Sequence, residues 1–189
     1  MDPNILRGTL VRLTAVESKE LVEAVTRWNR DSEYQRLSAL NAANLFSVKK
    51  LTEWIEKDQE KDPPPFYYLA IRILDGDRLV GSCGLDGNLF PHGEAFVGIG
   101  IGERELWGKG YGTDAIMVIL RYGFQELNLR RISLTCSGFN PRAIRSCEKA
   151  GFVHEGRVRK LLHREGKRWD MVHMGILREE WLAKMTMSS

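Results

Sequence analysis

Gly108, Gly110 and Gly112, at alternate positions with Lys109 between the first two, form the stretch of this chain best suited to hold a ligand. They lie in Gly102-Glu103-Arg104-Glu105-Leu106-Trp107-Gly108-Lys109-Gly110-Tyr111-Gly112-Thr113-Asp114-Ala115. Glycine removes the side chain, so an anion can approach the main chain closely. Ala95 to Ile101 reads as a short buried strand before the turn. Ala115 to Leu129 after it carries Ile116, Ile119, Leu120, Gly123, Phe124 and Leu127 near a period of 3.6. Amides in the first turn of a helix lack intrahelical partners and lie at the positive end of the helix dipole. Strand, glycine turn and helix together therefore predict a pyrophosphate cradle, with Lys109 adding a mobile positive charge. The bland alternative is a turn that only packs tightly. The spacing excludes two other cradles. A Walker loop needs Gly-Lys-Ser/Thr where Gly108-Lys109 is followed by Gly110, and Gly-x-Gly-x-x-Gly does not fit residues 108–113.

Gly110-Tyr111-Gly112 resembles the core of the phosphate loop of the GNAT N-acetyltransferase superfamily, (Gln/Arg)-x-x-Gly-x-Gly/Ala, with Trp107 where Gln or Arg is commonest. The longer Leu106-Trp107-Gly108-Lys109-Gly110-Tyr111-Gly112 resembles the RimJ/RimL-like branch, which acetylates ribosomal-protein N-termini, and its relatives acting on polyamines and other amines. A second string, Asn140-Pro141-Arg142-Ala143-Ile144-Arg145-Ser146-Cys147-Glu148-Lys149-Ala150-Gly151-Phe152, resembles the superfamily's Asn-x-x-Ala/Ser-Ile-x-x-Tyr-Glu-Lys-x-Gly-Phe. Two signatures in the correct order are far more specific than either alone. The resemblance spans roughly Phe66 to Trp181.

It implies acetyl-CoA as co-substrate, with no metal, and acetyl transfer to a primary amine by direct attack in a ternary complex. The pyrophosphate would lie on Trp107, Gly108, Lys109, Gly110, Tyr111, Gly112 and Thr113, and the amide arm on the main chain of Ile99, Gly100 and Ile101. Asn140 would touch that arm or an ordered water, while also being an ordinary helix cap. Arg142, Arg145 and Lys149 share one helical face, for the outer phosphates or simply for solvent. An amine attacks only when neutral, so a base is expected. The family's usual glutamate position reads Phe96 here; Glu94, two residues away on the same strand face, and Glu103 beyond the strand are the candidates. Cys147 stands where the family often has a proton-donating tyrosine, and reads equally as a small buried helix residue.

These groups need a framework. Gly8 to Val16 predicts a strand, Glu17 to Arg30 a helix, and Asp31 to Asn44 an irregular or weakly helical segment with Tyr34, Leu37, Leu40 and, just beyond, Leu45 scattered. Ser47 caps a helix to about Lys61 with Val48, Leu51, Trp54 and Ile55 inward, stopped by Pro63-Pro64-Pro65. Phe66 to Leu74 and Arg78 to Leu85 predict a hairpin across Asp75-Gly76-Asp77, followed by a loop from Asp86 to Gly93. Arg131 to Cys136 is a strand, Asn140 to Gly151 a helix, and Phe152 to His163 and Lys167 to Leu177 a closing hairpin before a tail helix from Arg178. The order implies an α+β (mixed α/β) domain, 1–189, with helices on both faces of a mixed sheet. The resemblance sharpens this to the GNAT fold: a mostly antiparallel sheet of about seven strands with a splayed parallel pair.

Composition fits one soluble domain: 189 residues, 43% apolar and 28% charged. A formal charge of +3 is too small to imply nucleic acid. No apolar run reaches membrane-spanning length, and Met1-Asp2-Pro3-Asn4 does not begin a secretory signal. Cys83, Cys136 and Cys147 suggest neither disulfides nor zinc and fit a reducing cytoplasm. His154, His163 and His173 read as structural or substrate-lining. Trp28, Tyr34, Phe90, His163, Arg164 and Trp169 are available to line an acceptor pocket. Glu33, Glu53 and Glu56 are interspersed with Arg27, Arg30, Arg36, Lys49 and Lys50, which does not choose between a peptide N-terminus, a polyamine and a drug amine. Homodimerisation is compatible with the sheet edges of the closing hairpin. The competing class is a non-catalytic GNAT-fold module that binds acyl-CoA for sensing or regulation.

Overall fold

The computed structural model describes residues 4–38, 43, 46–59 and 66–187. Its front half runs β1 (Val11–Thr14), α1 (Ser18–Trp28), α2 (Ser32–Ser38), α3 (Val48–Gln59), β2 (Phe66–Ile73), β3 (Leu79–Asp86) and β4 (Glu94–Ile101). The back half runs α4 (Tyr111–Gln125), β5 (Arg131–Ser137), α5 (Pro141–Ala150), β6 (Val153–Arg164), β7 (Lys167–Leu177) and α6 (Arg178–Met187). The strands form one seven-stranded sheet, β1-β2-β3-β4-β5-β7-β6. Only β4 and β5 pair in parallel, joined through α4; every other neighbouring pair is antiparallel. This is the α+β GNAT architecture expected from the sequence, with helices on both faces.

Strand alternation assigns the two faces. On one, Ile116, Ile119, Leu120 and Phe124 of α4 are buried with Leu85, Ala95, Val97, Ile132, Met174 and Ile176 of the sheet. Burying one such side chain contributes about 1.5–3 kcal/mol. Gly123 makes the close helix–sheet approach possible, since a Cβ there would lie 2.7 Å from Ile132 Cδ1. On the other face, Leu21, Val22 and Trp28 of α1 and Leu51 and Ile55 of α3 cluster with Ala70 and Leu79.

Some local expectations shift. Helix α4 starts at Tyr111 rather than Ala115, because the chain enters it directly from the left-handed Gly110. Residues 32–38 are a defined helix, and Gly87–His92 forms a 3-10 turn rather than a plain loop. Val48 is 55% exposed, so only Leu51 and Ile55 of the expected α3 stripe are seen inward. The Trp54 side chain, Leu40, Leu45 and the Pro63-Pro64-Pro65 stop lie outside the described residues.

Candidate functional site

The parallel pair is incomplete, and the site begins there. β4 and β5 pair only at Glu94↔Arg131, Ala95↔Ile132 and Phe96↔Ser133. Beyond Phe96, β4 stays with β3 as far as Ile101↔Gly81, while β5 stays with β7 as far as Ser137↔Met171. The two strands therefore diverge and open a cavity of about 480 Å³ between them. Gly102 N–H donates to Val80 C=O (2.8 Å), which fixes the phase of the ladder. Main-chain groups alternate along an antiparallel pair, so those of Gly98 and Gly100 face β3 and those of Val97, Ile99 and Ile101 face the opening. Of Ile99, Gly100 and Ile101, the middle residue is thus turned the wrong way to hold an amide arm, a correction imposed by strand phase. By the same alternation Val97 turns its main-chain groups toward the opening.

The opening leads to the glycine turn. Gly108 (φ 75°) and Gly110 (φ 95°) occupy the left-handed region, where other residues are strained. The first intrahelical bond of α4 runs from Asp114 N–H to Gly110 C=O (2.9 Å), leaving the amides of Tyr111, Gly112 and Thr113 without intrahelical acceptors. Gly108, Gly110, Gly112 and Thr113 line the cavity, whereas Tyr111 packs against the core and Lys109 is exposed. The turn is anchored from behind by Asp114, 4% exposed, whose carboxylate accepts from Thr9 N–H (3.1 Å), Thr9 Oγ1 (2.9 Å), Leu10 N–H (2.8 Å) and Val11 N–H (2.9 Å). Those bonds fasten the entry to β1 onto the start of α4.

Trp107 closes the end of β4. Its Nε1 donates to Ile101 C=O (2.7 Å), removing one of the carbonyls that face the opening. The guanidinium carbons of Arg142 and Arg104 lie 4.7 and 5.3 Å from its ring centroid. Arg104 pairs with Asp31 (2.6 Å) and Glu33 (2.7 Å), and Arg142 with Glu33 (3.5 Å), so α2 is tied to both the turn and α5. Asn140 caps α5 through Ala143 N–H (3.2 Å) and also lines the cavity. Arg142 lines it too; Arg145 is exposed on α5 and does not.

The candidate acid–base groups are dispersed. Glu94 does not line the cavity; its Oε1 accepts from Ser133 Oγ (2.7 Å) and Arg131 Nε (3.0 Å) beside the paired end of β4. Burial alone would raise its pKa, but Ser133 and Arg131 outweigh that and hold the carboxyl below its ordinary value. Glu103 also lies off the cavity, accepting from Trp28 Nε1 (3.0 Å) and Arg27 (2.6 Å). Burial again opposes and these donors again prevail, so its pKa is lowered as well. Both carboxylates are held in ion pairs that join elements, which is why neither reaches the opening. Cys147 does line the cavity, buried, with its sulfur 4.0 Å from that of Cys136. The hydrogen bond with Cys136 and burial both push the Cys147 thiol upward. Among the described residues, no group of three or more His, Cys, Asp or Glu is placed to hold a metal ion.

Of the pocket aromatics expected from sequence, Tyr34 lines the cavity. Trp28 instead packs on Gly102, Phe90 stacks near Tyr67 (5.4 Å) and Trp169 meets Phe139 (6.0 Å). The far end holds Phe66 and Gly98, which the sequence reading assigned to strands alone, with Phe96 at the family's usual glutamate position and Asp86 at the start of the loop read as Asp86 to Gly93. One signal was available. Gly98 and Gly100 stand two apart in an otherwise apolar strand, so one strand face is bare, a mark of close approach by something else.

Known proteins give the same picture. The acetyltransferase (GNAT) domain model matches residues 11–153. The SPbeta prophage-derived uncharacterized N-acetyltransferase YokL of Bacillus subtilis is 30% identical over 71% of this chain and 73% of its own length. The putative ribosomal N-acetyltransferase YdaF of Bacillus subtilis is 33% identical over 74% and 76%. Among solved structures, the spermidine N-acetyltransferase of Vibrio cholerae in complex with CoA and spermine superposes with a TM-score of 0.80 at 25% identity, covering 91% of this chain and 98% of that one.

Proposed function

The chain belongs to the acetyltransferase (GNAT) domain family, and from that premise we propose that it transfers the acetyl group of acetyl-CoA to a primary amine by direct attack in a ternary complex. The observation that carries this reading is the opening between β4 and β5, which ends on Gly112 and Thr113, whose amides have no intrahelical acceptors. Acetyl-CoA supplies the activated thioester. The chain supplies what holds it: turn amides for the pyrophosphate, with Lys109 nearby, and the outward main-chain groups of Val97 and Ile99 for the amide arm. Asn140 and Arg142 stand on the opposite wall. Arg145, exposed on α5, is placed for an outer phosphate at most.

The amine must be neutral to attack. Glu94 and Glu103 are committed to arginines away from the opening, so in this mechanism the proton leaves to water. The Cys147 proton is held more tightly than an ordinary thiol's. The departing coenzyme A thiolate is therefore protonated by solvent, and Cys147 acts as a wall of the cavity. Likeness to a spermidine and to a putative ribosomal N-acetyltransferase supports a primary amine in the broad sense, either a small molecule or a RimJ/RimL-type peptide N-terminus.

Calorimetry with CoA, together with free-thiol release from acetyl-CoA on addition of an amine and peptide panel, tests the proposal. Binding with amine-dependent release is expected. Binding without release for any acceptor would favour the non-catalytic module instead.

A further inference from the structure

The three cysteines fall into two settings. Cys83 is buried in β3 and does not line the cavity. Cys136 of β5 and Cys147 of α5 both line it, with their sulfurs 4.0 Å apart. The fold builds this pair from two separate periods. Leu134 and Cys136 stand two apart on one face of β5, buried with Ile116 of α4 and Ala150 of α5. Asn140, Ala143 and Cys147 stand at i, i+3 and i+7, one helical face, and all three line the cavity.

The two thiols are not equivalent. A hydrogen bond from Cys147 outweighs burial and holds the Cys136 thiol below its ordinary pKa, while the same bond pushes Cys147 up. Cys136 is also the more open, 8% exposed against 2%. The thiolate is the attacking form of a cysteine, so Cys136 is the nucleophile of the pair. Cys147, next to it, is placed to displace whatever Cys136 has captured. The rest of the cavity decides what arrives. Its wall runs from the glycine turn past Asn140 and Ala143 to the thiols, so a ligand held by its phosphates at the turn can extend to the sulfurs.

We infer that Cys136 and Cys147 form a thiol–disulfide exchange site for the disulfide of coenzyme A, bound through the same glycine turn as acetyl-CoA. The inference rests on the CoA-binding reading above. Cys136, its proton given to water, attacks one sulfur of CoA disulfide. That S–S bond breaks, and one CoA leaves as thiolate and takes a proton from solvent. A Cys136–CoA mixed disulfide remains and occupies the place of acetyl-CoA. Its formation removes the hydrogen bond that raised Cys147. The Cys147 sulfur then loses its proton to water and attacks Cys136. The mixed disulfide breaks, and the second CoA leaves and is protonated in turn. Side-chain rotation brings the two sulfurs from 4.0 Å to bonding distance. The cysteines give up two electrons, and CoA disulfide takes them as it becomes two thiols.

The test mixes the reduced protein with CoA disulfide under anaerobic conditions, following CoA release by chromatography and the protein by intact mass. Calorimetry with CoA is run separately on the reduced protein. We expect two CoA released per chain and a protein lighter by two hydrogens, at least ten-fold faster than with glutathione disulfide, which carries no phosphate for the turn. Cys147→Ser should stop after one CoA and keep the other as an adduct. Cys136→Ser should slow release at least ten-fold. Should either variant fold poorly, peptide mapping of the oxidised wild type gives a further readout, a Cys136–Cys147 crosslink with Cys83 free. CoA binding without release of CoA from its disulfide overturns this inference and leaves the transferase reading standing. So does equal reactivity toward the two disulfides, undiminished exchange in folded Cys136→Ser, or a wild-type adduct that persists. Absence of CoA binding by the reduced protein overturns the transferase reading, and this inference with it.

Discussion

Asp114 shows at the scale of one residue how the cradle is kept in shape. A buried carboxylate accepting four hydrogen bonds from residues 9–11 fastens the first turn of α4 from the side opposite the cavity. Asp114→Ala strands the buried Val11 N–H, at about 1–3 kcal/mol, and leaves the part-buried donors of Thr9 and Leu10 to find water instead. The expected outcome is a drop in thermal midpoint of many degrees, together with weaker CoA binding, read by scanning calorimetry and titration. Glu94 gives the contrasting case. Its carboxylate joins β4 to Ser133 and Arg131 of β5, so Glu94→Gln should lower the midpoint by a few degrees yet leave kcat within about three-fold, since it holds a structural hydrogen bond worth about 1–3 kcal/mol. A hundred-fold fall in kcat at unchanged stability would restore Glu94 as a base. The sequence shows both acids plainly and shows neither partner set. Thr9 is 105 residues from Asp114, and nothing local announces the contact.

At the scale of elements, the strand–turn–helix around residues 95–125 and the helix opened by Asn140 were legible because their signals are local: glycine spacing, apolar period and a capping residue. The divergence of β4 from β5 was legible only through family resemblance, since it depends on what β3 and β7 do to either side. The same holds for which main-chain groups of β4 face the opening. That follows from the ladder phase set by Gly102 and Val80, a pairing no pattern within β4 encodes. Helix α2 was missed as a defined element because its seven residues carry little period; its ties to Arg104 and Arg142 come from distant elements. Trp107 links these pieces. Trp107→Phe keeps an aromatic ring beside the two guanidiniums but removes the bond to Ile101 C=O, worth about 1 kcal/mol. A two- to ten-fold rise in the Kd for CoA is expected by calorimetry. Trp107→Ala, which also releases Arg142 and Arg104, should cost more than the Phe variant. Equal effects would mean that the arginine stacking contributes nothing.

Across the whole molecule, depressed carboxylates and a neutral-amine requirement give stability and activity limbs of the same sign in separate pH windows. Glu94 and Glu103 are held below their ordinary pKa by the donors that outweigh burial, and Asp31 by its hydrogen bond from Arg104. For a carboxylate with a lowered folded pKa, the stabilisation is present above the unfolded pKa of about 4 and is lost as pH falls through the folded value. The thermal midpoint should therefore be nearly flat above pH 5 and decline below about pH 4. Glu103→Gln, which removes one of these groups, should make that decline shallower. Activity also falls with falling pH but in a higher window, because kcat/KM follows the neutral fraction of the acceptor and rises about ten-fold per pH unit below the amine's own pKa. If water takes the proton, the inflection belongs to the acceptor. Replacing an amine of ordinary pKa by one two units more acidic should then move the inflection by about the same two units while the stability limb stays where it was. An inflection that stays fixed across acceptors would place a titrating side chain, rather than water, at the reacting nitrogen.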